Sequence, residues 1–355
     1  MKIGLIGLPN SGKTTIFNAL TRGYAEVTPY SSGRIEPHLA VLEVRDERVD
    51  SLSSLYSPQK TVYTTVDIID FAGLSENAAR DGSYSPEVWA QMRNTDALAL
   101  VLRNFDDETR TAPDPLRELE RLEEEMLLAD LLLVENRLER IEYQLKRSRG
   151  ANPLLRELNT FTNLRDFLSD SRPLREMELN PEEEKLVRGY SFLTKKHFLV
   201  VLNSDESQFG RNHKILEDLK KRHAAVEFAG KFEMELSRLD DENAKLFMED
   251  MGIAESARNC MIRLAYRTLG YISFFTVGKD EVRAWNILSG QTALEAAGAI
   301  HSDLARGFIR AERFSYNDLI TTGSEKSVKE NGRLSLEGKE YVVHDGDILS
   351  IRFNV

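Results

Sequence analysis

The sequence predicts an α/β fold: a parallel-sheet domain interrupted by a helical hairpin and followed by a smaller α+β module. Three observations carry this expectation. Short apolar runs at Lys2–Ile6 (KIGLI), Ala97–Leu102 (ALALVL) and His197–Leu202 (HFLVVL) read as buried strands of a parallel sheet. Between the second and third, residues 115–149 hold no glycine and no proline after Pro115. Within them Leu127, Leu131, Val134, Leu138, Ile141 and Leu145 recur at spacings of four and three, a coiled-coil seam. From Tyr271 the texture changes to strand-like runs around a helical stretch at Thr292–Leu304, a compact module of about eighty-five residues.

Composition narrows the field. The 355 residues leave room for two or three domains, and the formal net charge of -11 argues against a protein that coats bare nucleic acid by global charge. Cys260 is the single cysteine, so no internal disulfide can form and a reducing, cytoplasmic setting is expected. No apolar run approaches membrane-spanning length, and the chain opens directly on a strand, so neither a membrane anchor nor a signal peptide is expected. The histidines, His38, His197, His213, His223, His301 and His344, are scattered without ligand spacing, which gives no support to a histidine metal site or a hydrolase triad. His301 and Asp303 read as helix-capping or polar-face residues rather than catalytic ones, and Trp89 and Trp285 as core anchors rather than stacking platforms.

Taken in order, the first strand runs into Gly7-Leu8-Pro9-Asn10-Ser11-Gly12-Lys13-Thr14, which fits G-x-x-x-x-G-K-[ST]. A helix at Thr14–Leu20, stopped by Gly23, completes the strand–loop–helix context. Glycines let the backbone wrap around phosphate, and the helix N-terminus presents unpaired N–H groups to the anion. Asn10, Ser11, Gly12, Lys13, Thr14 and Thr15 are the expected phosphate-gripping set, with Lys13 reaching the β- and γ-phosphates and the Thr14 hydroxyl ligating Mg2+. Tyr24–Pro37 is polar, proline-broken and loop-like. A strand at Leu39–Val44 and a short helix at Asp46–Tyr56 follow. Val62–Asp70 (VYTTVDIID) reads as one strand ending in Asp70-Phe71-Ala72-Gly73, a D-x-x-G pattern in which Asp70 holds the metal through water and Gly73 offers an N–H to the γ-phosphate.

Beyond the seam, a second helix is expected over Leu154–Phe167, and Asn180-Pro181-Glu182 starts a short one at Glu183–Gly189. The strand His197–Leu202 ends in Asn203-Ser204-Asp205-Glu206. Guanine-reading proteins carry N-K-x-D here. The serine and the longer final carboxylate remove support for guanine specificity and lean towards adenine. Ala225–Ala229 is a last strand, with Ala229-Gly230-Lys231 where a base-flanking loop would sit, and helices fill Met234–Gly270.

These pieces together resemble the YchF-type (Obg-like) P-loop NTPases over essentially the whole chain. The stretches that carry the resemblance are GLIGLPNSGKTTIFNAL, RIEP, DFAGL, NSDE, AGKFEMEL and the tail EVRAW…HSDLARGFIRAERFSYNDLI…GKEYVVHDGDILSIRFNV. The resemblance implies a Ras-like P-loop NTPase domain at 1–114 and 195–270, an inserted helical coiled coil at 115–194 and a C-terminal β-grasp (TGS) domain at 271–355. It also implies Mg2+-dependent hydrolysis, often of ATP in preference to GTP, and association with ribosomes. Three places depart from the Ras or family pattern. Arg34 stands where the family usually has a threonine, Ser75–Trp89 keeps only Gly82 of a lysine- and glycine-rich loop, and Leu74 replaces the water-orienting glutamine of Ras-type enzymes, as is usual in the family.

On this reading the chain is a slow nucleotide-dependent switch. Lys13, Asp70 and Gly73 act in hydrolysis, Thr14 and Asp70 hold the metal, and Asn203, Glu206 and Ala229 line the base. The expected partner is the ribosome or a subunit, and the protein is expected to be a monomer. The charged faces of the coiled coil read first as solvated surface; the alternative reading is an RNA contact through its basic end (Arg137, Arg140, Lys146, Arg147, Arg149) or through the TGS domain. Two alternatives stay open: a nucleotide-holding scaffold without useful turnover, and a role for Arg34 as an internal arginine finger.

Overall fold

The structure is a computed structural model that describes residues 1–21, 37–71, 73–74, 78–81, 84–107, 111–147, 152–250 and 255–354. Strand β1 (Lys2–Ile6) leads to helix α1 (Lys13–Thr21), then β2 (His38–Val44), α2 (Glu47–Tyr56), β3 (Lys60–Val62) and β4 (Thr64–Asp70). Short helices α3 (Ala78–Asp81) and α4 (Pro86–Arg93) precede β5 (Ala97–Asn104). The insertion holds α5 (Pro115–Arg147), α6 (Asn152–Ser169) and α7 (Pro181–Val187). The sheet resumes with β6 (His197–Ser204), α8 (His213–Lys220) and β7 (Ala224–Phe228), followed by α9 (Gly230–Leu236), α10 (Asp241–Asp250) and α11 (Ala257–Leu269). The last part comprises β8 (Tyr271–Thr276), β9 (Glu281–Leu288), α12 (Ala293–Ile300), α13 (Ser302–Arg306), β10 (Phe308–Ser315), α14 (Tyr316–Thr322), α15 (Glu325–Glu330), β11 (Ser335–Glu337) and β12 (Asp347–Phe353).

Two units emerge: Met1–Val41 with Asp67–Leu264, and Leu42–Val66 with Ala265–Val355. The first is built on a sheet of order β2-β4-β1-β5-β6-β7, in which β1 is parallel to β4 and β5, and β5–β6–β7 continue parallel. Every residue of β5 is buried, because a central parallel strand is covered on both faces, and this explains its unbroken apolar run. The root of α5 closes one side of this core through Leu119, Leu122 and Met126. Further along, α5 turns its seam to the rest of the insertion: Val134, Leu138 and Ile141 bury against Phe161, Leu164 and Leu168 of α6, with Leu127, Leu131 and Leu145 packed at the margin. Asp130 anchors the return of the chain. Fully buried, it accepts hydrogen bonds from the Leu193 and Thr194 amides and the Thr194 hydroxyl, and pairs with Arg93 at 3.0 Å. The Asn180 side chain caps α7 in a reciprocal box with Glu183.

The second unit is a sheet of order β11-β10-β12-β8-β9-β3. One face carries α12, whose Thr292–Glu295 capping box fixes its start. The other face buries Phe275, Val282, Phe314 and Ile348 under Val49 and Leu52 of α2. Here the structure departs from the chain-order expectation, which keeps residues 42–66 in the nucleotide domain. VYTTVDIID is not one strand. The chain breaks at Tyr63, and β3 adds parallel to β9 (Thr61 opposite Val282) while β4 enters the first sheet. The reason is burial: without α2 and β3 the apolar face of β8, β9 and β12 would be left in water. Arg48 fixes the segment, bridging Asp46 at 2.8 Å and Asp345 at 2.7 Å, while Asp345 also accepts the Ser273 amide. The expected helix Thr292–Leu304 is two helices, broken at His301, whose extended backbone ends α12 while its Nδ1 caps α13 by accepting the Asp303 amide.

Candidate nucleotide site

The loop after β1 lies at the carboxyl end of the parallel sheet, where open α/β sheets place their ligands. Gly12 sits at φ +85°, and a Cβ there would fall 2.1 Å from Asn203 Nδ2, so only glycine fits. Asn10 also adopts a left-handed backbone, which its short polar side chain tolerates. Lys13, buried at the start of α1, donates from Nζ to the Leu8 carbonyl at 3.0 Å and so arches over the loop it follows. Thr14 and Thr15 are half-buried at the same helix start, beneath the exposed Asn10.

The D-x-x-G turn meets this loop directly. A Cβ on Gly73 would lie 2.8 Å from Pro9 Cα and 3.2 Å from Lys13 Nζ, so a larger residue would push the two segments apart. The buried Asp70 accepts the Thr14 hydroxyl on Oδ2 at 3.0 Å, and its Oδ1 is buried with no hydrogen-bond partner among the described residues. Burial raises the Asp70 carboxyl above its ordinary value, against the opposing pull of the Lys13 charge and the Thr14 hydrogen bond. A buried carboxylate with one unsatisfied oxygen beside a hydroxyl is a donor set for a hard divalent cation, which takes oxygen ligands and retains water. Leu74 is fully buried and its amide donates to the Gly7 carbonyl at 2.9 Å, so its side chain has no means of orienting water.

Asn203 does something the sequence reading does not assign to it. Buried at the end of β6, it donates from Nδ2 to the Ser11 carbonyl at 3.0 Å and accepts the Gly230 amide on Oδ1 at 3.1 Å. It clamps the phosphate loop to the turn after β7, where Ala229 is buried. Glu206 is exposed in a short turn beyond β6. The neighbouring Ser204, where guanine readers have lysine, is buried in a network: it donates to Glu227 at 2.6 Å and accepts from Asn104 at 2.9 Å. The sequence reading also passes over His38, whose Nδ1 lies 3.9 Å from Asp70 Oδ2. Its position directly after RIEP was the available signal. Arg34 and residues 75–77 and 82–83 of the altered loop lie outside the described residues.

Known proteins match this arrangement along its whole length. Residues 2–137 fit a family model described as a 50S ribosome-binding GTPase, and residues 271–354 fit the YchF-GTPase C-terminal model, described as a protein of unknown function. A Bacillus subtilis protein named ribosome-binding ATPase YchF is 37% identical, with 99% of each chain covered. The chain belongs to the YchF family. A Haemophilus influenzae YchF of the same printed name is also 37% identical, over 100% of this chain and 99% of its own. The solved Schizosaccharomyces pombe YchF GTPase superposes with a TM-score of 0.82 at 28% identity, covering 99% of this chain and 97% of that one. As a YchF member the chain is a P-loop NTPase, with a Ras-like domain, a helical insertion and a C-terminal α/β domain.

Proposed function

We propose that this protein is a Mg2+-dependent nucleotide switch that slowly hydrolyses ATP, and secondarily GTP, at the β–γ bond, and that it works on the ribosome. The observation that carries the reading is the contact of Thr14 with the buried Asp70 carboxylate, under a loop that Gly12, Lys13 and Gly73 shape. Thr14 and Asp70 would hold Mg2+, which supplies charge neutralisation at the β- and γ-phosphates. Lys13 would bind the same phosphates, with Asn10, Ser11, Gly12 and Thr15 lending loop and helix-terminal groups. Gly73 would offer its N–H to the γ-phosphate. Asn203 would hold the loop in shape and offer its second amide N–H to the base, which Glu206 and Ala229 would border. Leu74 supports slowness, because no side chain at that position activates water; even Ras with its glutamine turns over at roughly 10⁻⁴ per second unaided. Ser204, locked in its network, supports a site that does not demand guanine.

The relatives' names support ribosome association. The exposed basic end of α5, where Arg140, Lys146 and Arg147 stand and Arg147 lies 4.5 Å from the Tyr143 ring centre, suits an RNA contact; Arg137 is committed to Glu157. We assign the protein to the cytoplasm as a monomer; among the described residues no helix is long and apolar enough to cross a membrane. The test is an equilibrium titration with fluorescent ATP and GTP analogues, with and without Mg2+, alongside phosphate release. Binding is expected to tighten with Mg2+ and to be lost in Lys13→Ala with the fold intact. Unchanged binding in that variant would sink the proposal. Binding without turnover would favour the scaffold reading instead.

A further inference from the structure

A second polar cavity lies away from the phosphate loop. It has a volume of about 400 Å³ and is bounded by the root of α5, the turn after α6 and the turn between α8 and β7. Phe198, near the amino end of β6, forms part of its wall. The loop after β1 follows the carboxyl end of a strand of the same parallel sheet, and Phe198 stands at the amino end of β6, so the two sites lie at opposite ends of the strands.

The chemistry of this cavity is organised by one carboxylate. Glu123 is buried, and three cationic or potentially cationic groups converge on it: Arg175 at 3.1 Å and His223 at 2.9 Å on Oε1, and Arg222 at 2.6 Å on Oε2. Burial alone would raise the Glu123 carboxyl, yet the His223 hydrogen bond and the charges of Arg222 and Arg175 hold it below its ordinary value. Both carboxylate oxygens are thus engaged, while each guanidinium keeps donors to spare. Each arginine uses one terminal nitrogen on Glu123 and retains the rest of its fork of donors. Arg175 is further held in place over the Phe198 ring, 5.0 Å from its centre. Arg172 lines the same cavity with no acidic partner among the described residues, its guanidinium resting 4.0 Å from the Phe167 ring centre. Lys221, also at the rim, is spent on Asp218. Three guanidiniums therefore share the cavity with two carboxylates, Glu123 and the exposed Glu176, leaving an excess of positive charge in a concave site.

We propose that this cavity is a second anion site, which takes phosphate or a small phosphomonoester between Arg172, Arg175 and Arg222. Planar forks of N–H donors match phosphate oxygens, and prior positioning by Glu123 and Phe198 reduces the side-chain entropy lost on binding. An occupant would touch the base of α5, the 171–176 turn and the 221–222 turn together. It would thereby brace both roots of the helical hairpin against the sheet.

The test uses the full chain saturated with ADP and Mg2+, so that the phosphate loop is filled. Inorganic phosphate is compared with chloride at equal ionic strength, with melting temperature and the arginine Nε–H resonances as readouts. The expected result is a saturable rise in melting temperature with a midpoint of about 1 mM, and shifts at Arg172, Arg175 and Arg222. Arg172→Gln breaks no ion pair seen here, so it should leave the fold intact and raise that midpoint roughly tenfold, as the loss of a charged hydrogen bond does. Arg222→Lys, which keeps a partner for Glu123, should do the same. Phosphate also stabilises proteins non-specifically by exclusion from their surface. A rise that is linear in phosphate and indifferent to both variants, or no difference from chloride, overturns the inference.

Discussion

Replacing Asn203 with alanine removes both ends of the clamp between the phosphate loop and the turn after β7. The side chain is buried, and its two hydrogen bonds, to the Ser11 carbonyl and from the Gly230 amide, are 3.0 and 3.1 Å long. Each backbone group stranded in the interior costs about 1–3 kcal/mol. The pair together is therefore expected to cost about 2–5 kcal/mol, allowing for partial relaxation around the lost amide. Urea unfolding followed by circular dichroism should show the midpoint falling with little change in slope. Nucleotide affinity should fall about tenfold or more, because the loop must then be ordered at the expense of binding energy. Asn203→Asp separates the two contacts. Its carboxylate still accepts from Gly230 but sets an oxygen against the Ser11 carbonyl, so hydrogen exchange at Gly230 should stay slow while affinity is lost. Should Asn203→Ala remain within about 0.5 kcal/mol of wild type with unaltered affinity, the clamp is not what shapes the loop.

Three further outcomes are expected. Glu123 is held below its ordinary carboxyl value of 4.5, so its stabilisation is fully present above that pH and is lost as pH falls through its lower folded value; acid unfolding of Glu123→Gln should lack this component. A fragment covering 265–355 alone lacks α2 and β3, so it should expose Phe275 and Val282 and bind a hydrophobic dye; fusing 42–66 to it should restore a cooperative melt, and Leu52→Ala should reduce the unfolding free energy of that fusion by about 2–5 kcal/mol. The Cys260 thiol is pushed up to about 11 by burial and by its hydrogen bond to Glu255, so alkylation by iodoacetamide at pH 8, followed by mass spectrometry, should be far slower than for a free cysteine.

Much of this architecture is legible in the sequence because it rests on local patterns. Lys2–Ile6, the glycine loop and α1 are adjacent in the chain, and the α5 seam repeats within one helix. His301 is legible for the same reason, since a cap acts two residues away. What is not legible depends on distant partners. The three residues of β3 carry no signal that they pair with Glu281–Arg283, and tertiary burial overrides the apparent continuity of VYTTVDIID. Asn203 is legible as a nucleotide-site residue, but its two backbone partners, one in the first loop and one after β7, are not, because each is brought to it only by the fold. His38 looks like any scattered histidine until β2 brings it beside Asp70.

The split of the C-terminal sheet has a consequence for synthesis. Residues 42–66 leave the ribosome early, yet the strand that β3 must join begins about 220 residues later. At elongation rates of 5–20 residues per second, that gap is roughly 10–40 s. Throughout this interval Val49, Leu52 and the open edge of β3 have no final partner, while the chain on either side of them can already build the first sheet. The second unit is therefore closed last, by the segment that was made first. Faster elongation through residues 67–280, or a chaperone that shields residues 42–66, should raise the yield of folded protein more than the same shielding given anywhere in the helical insertion.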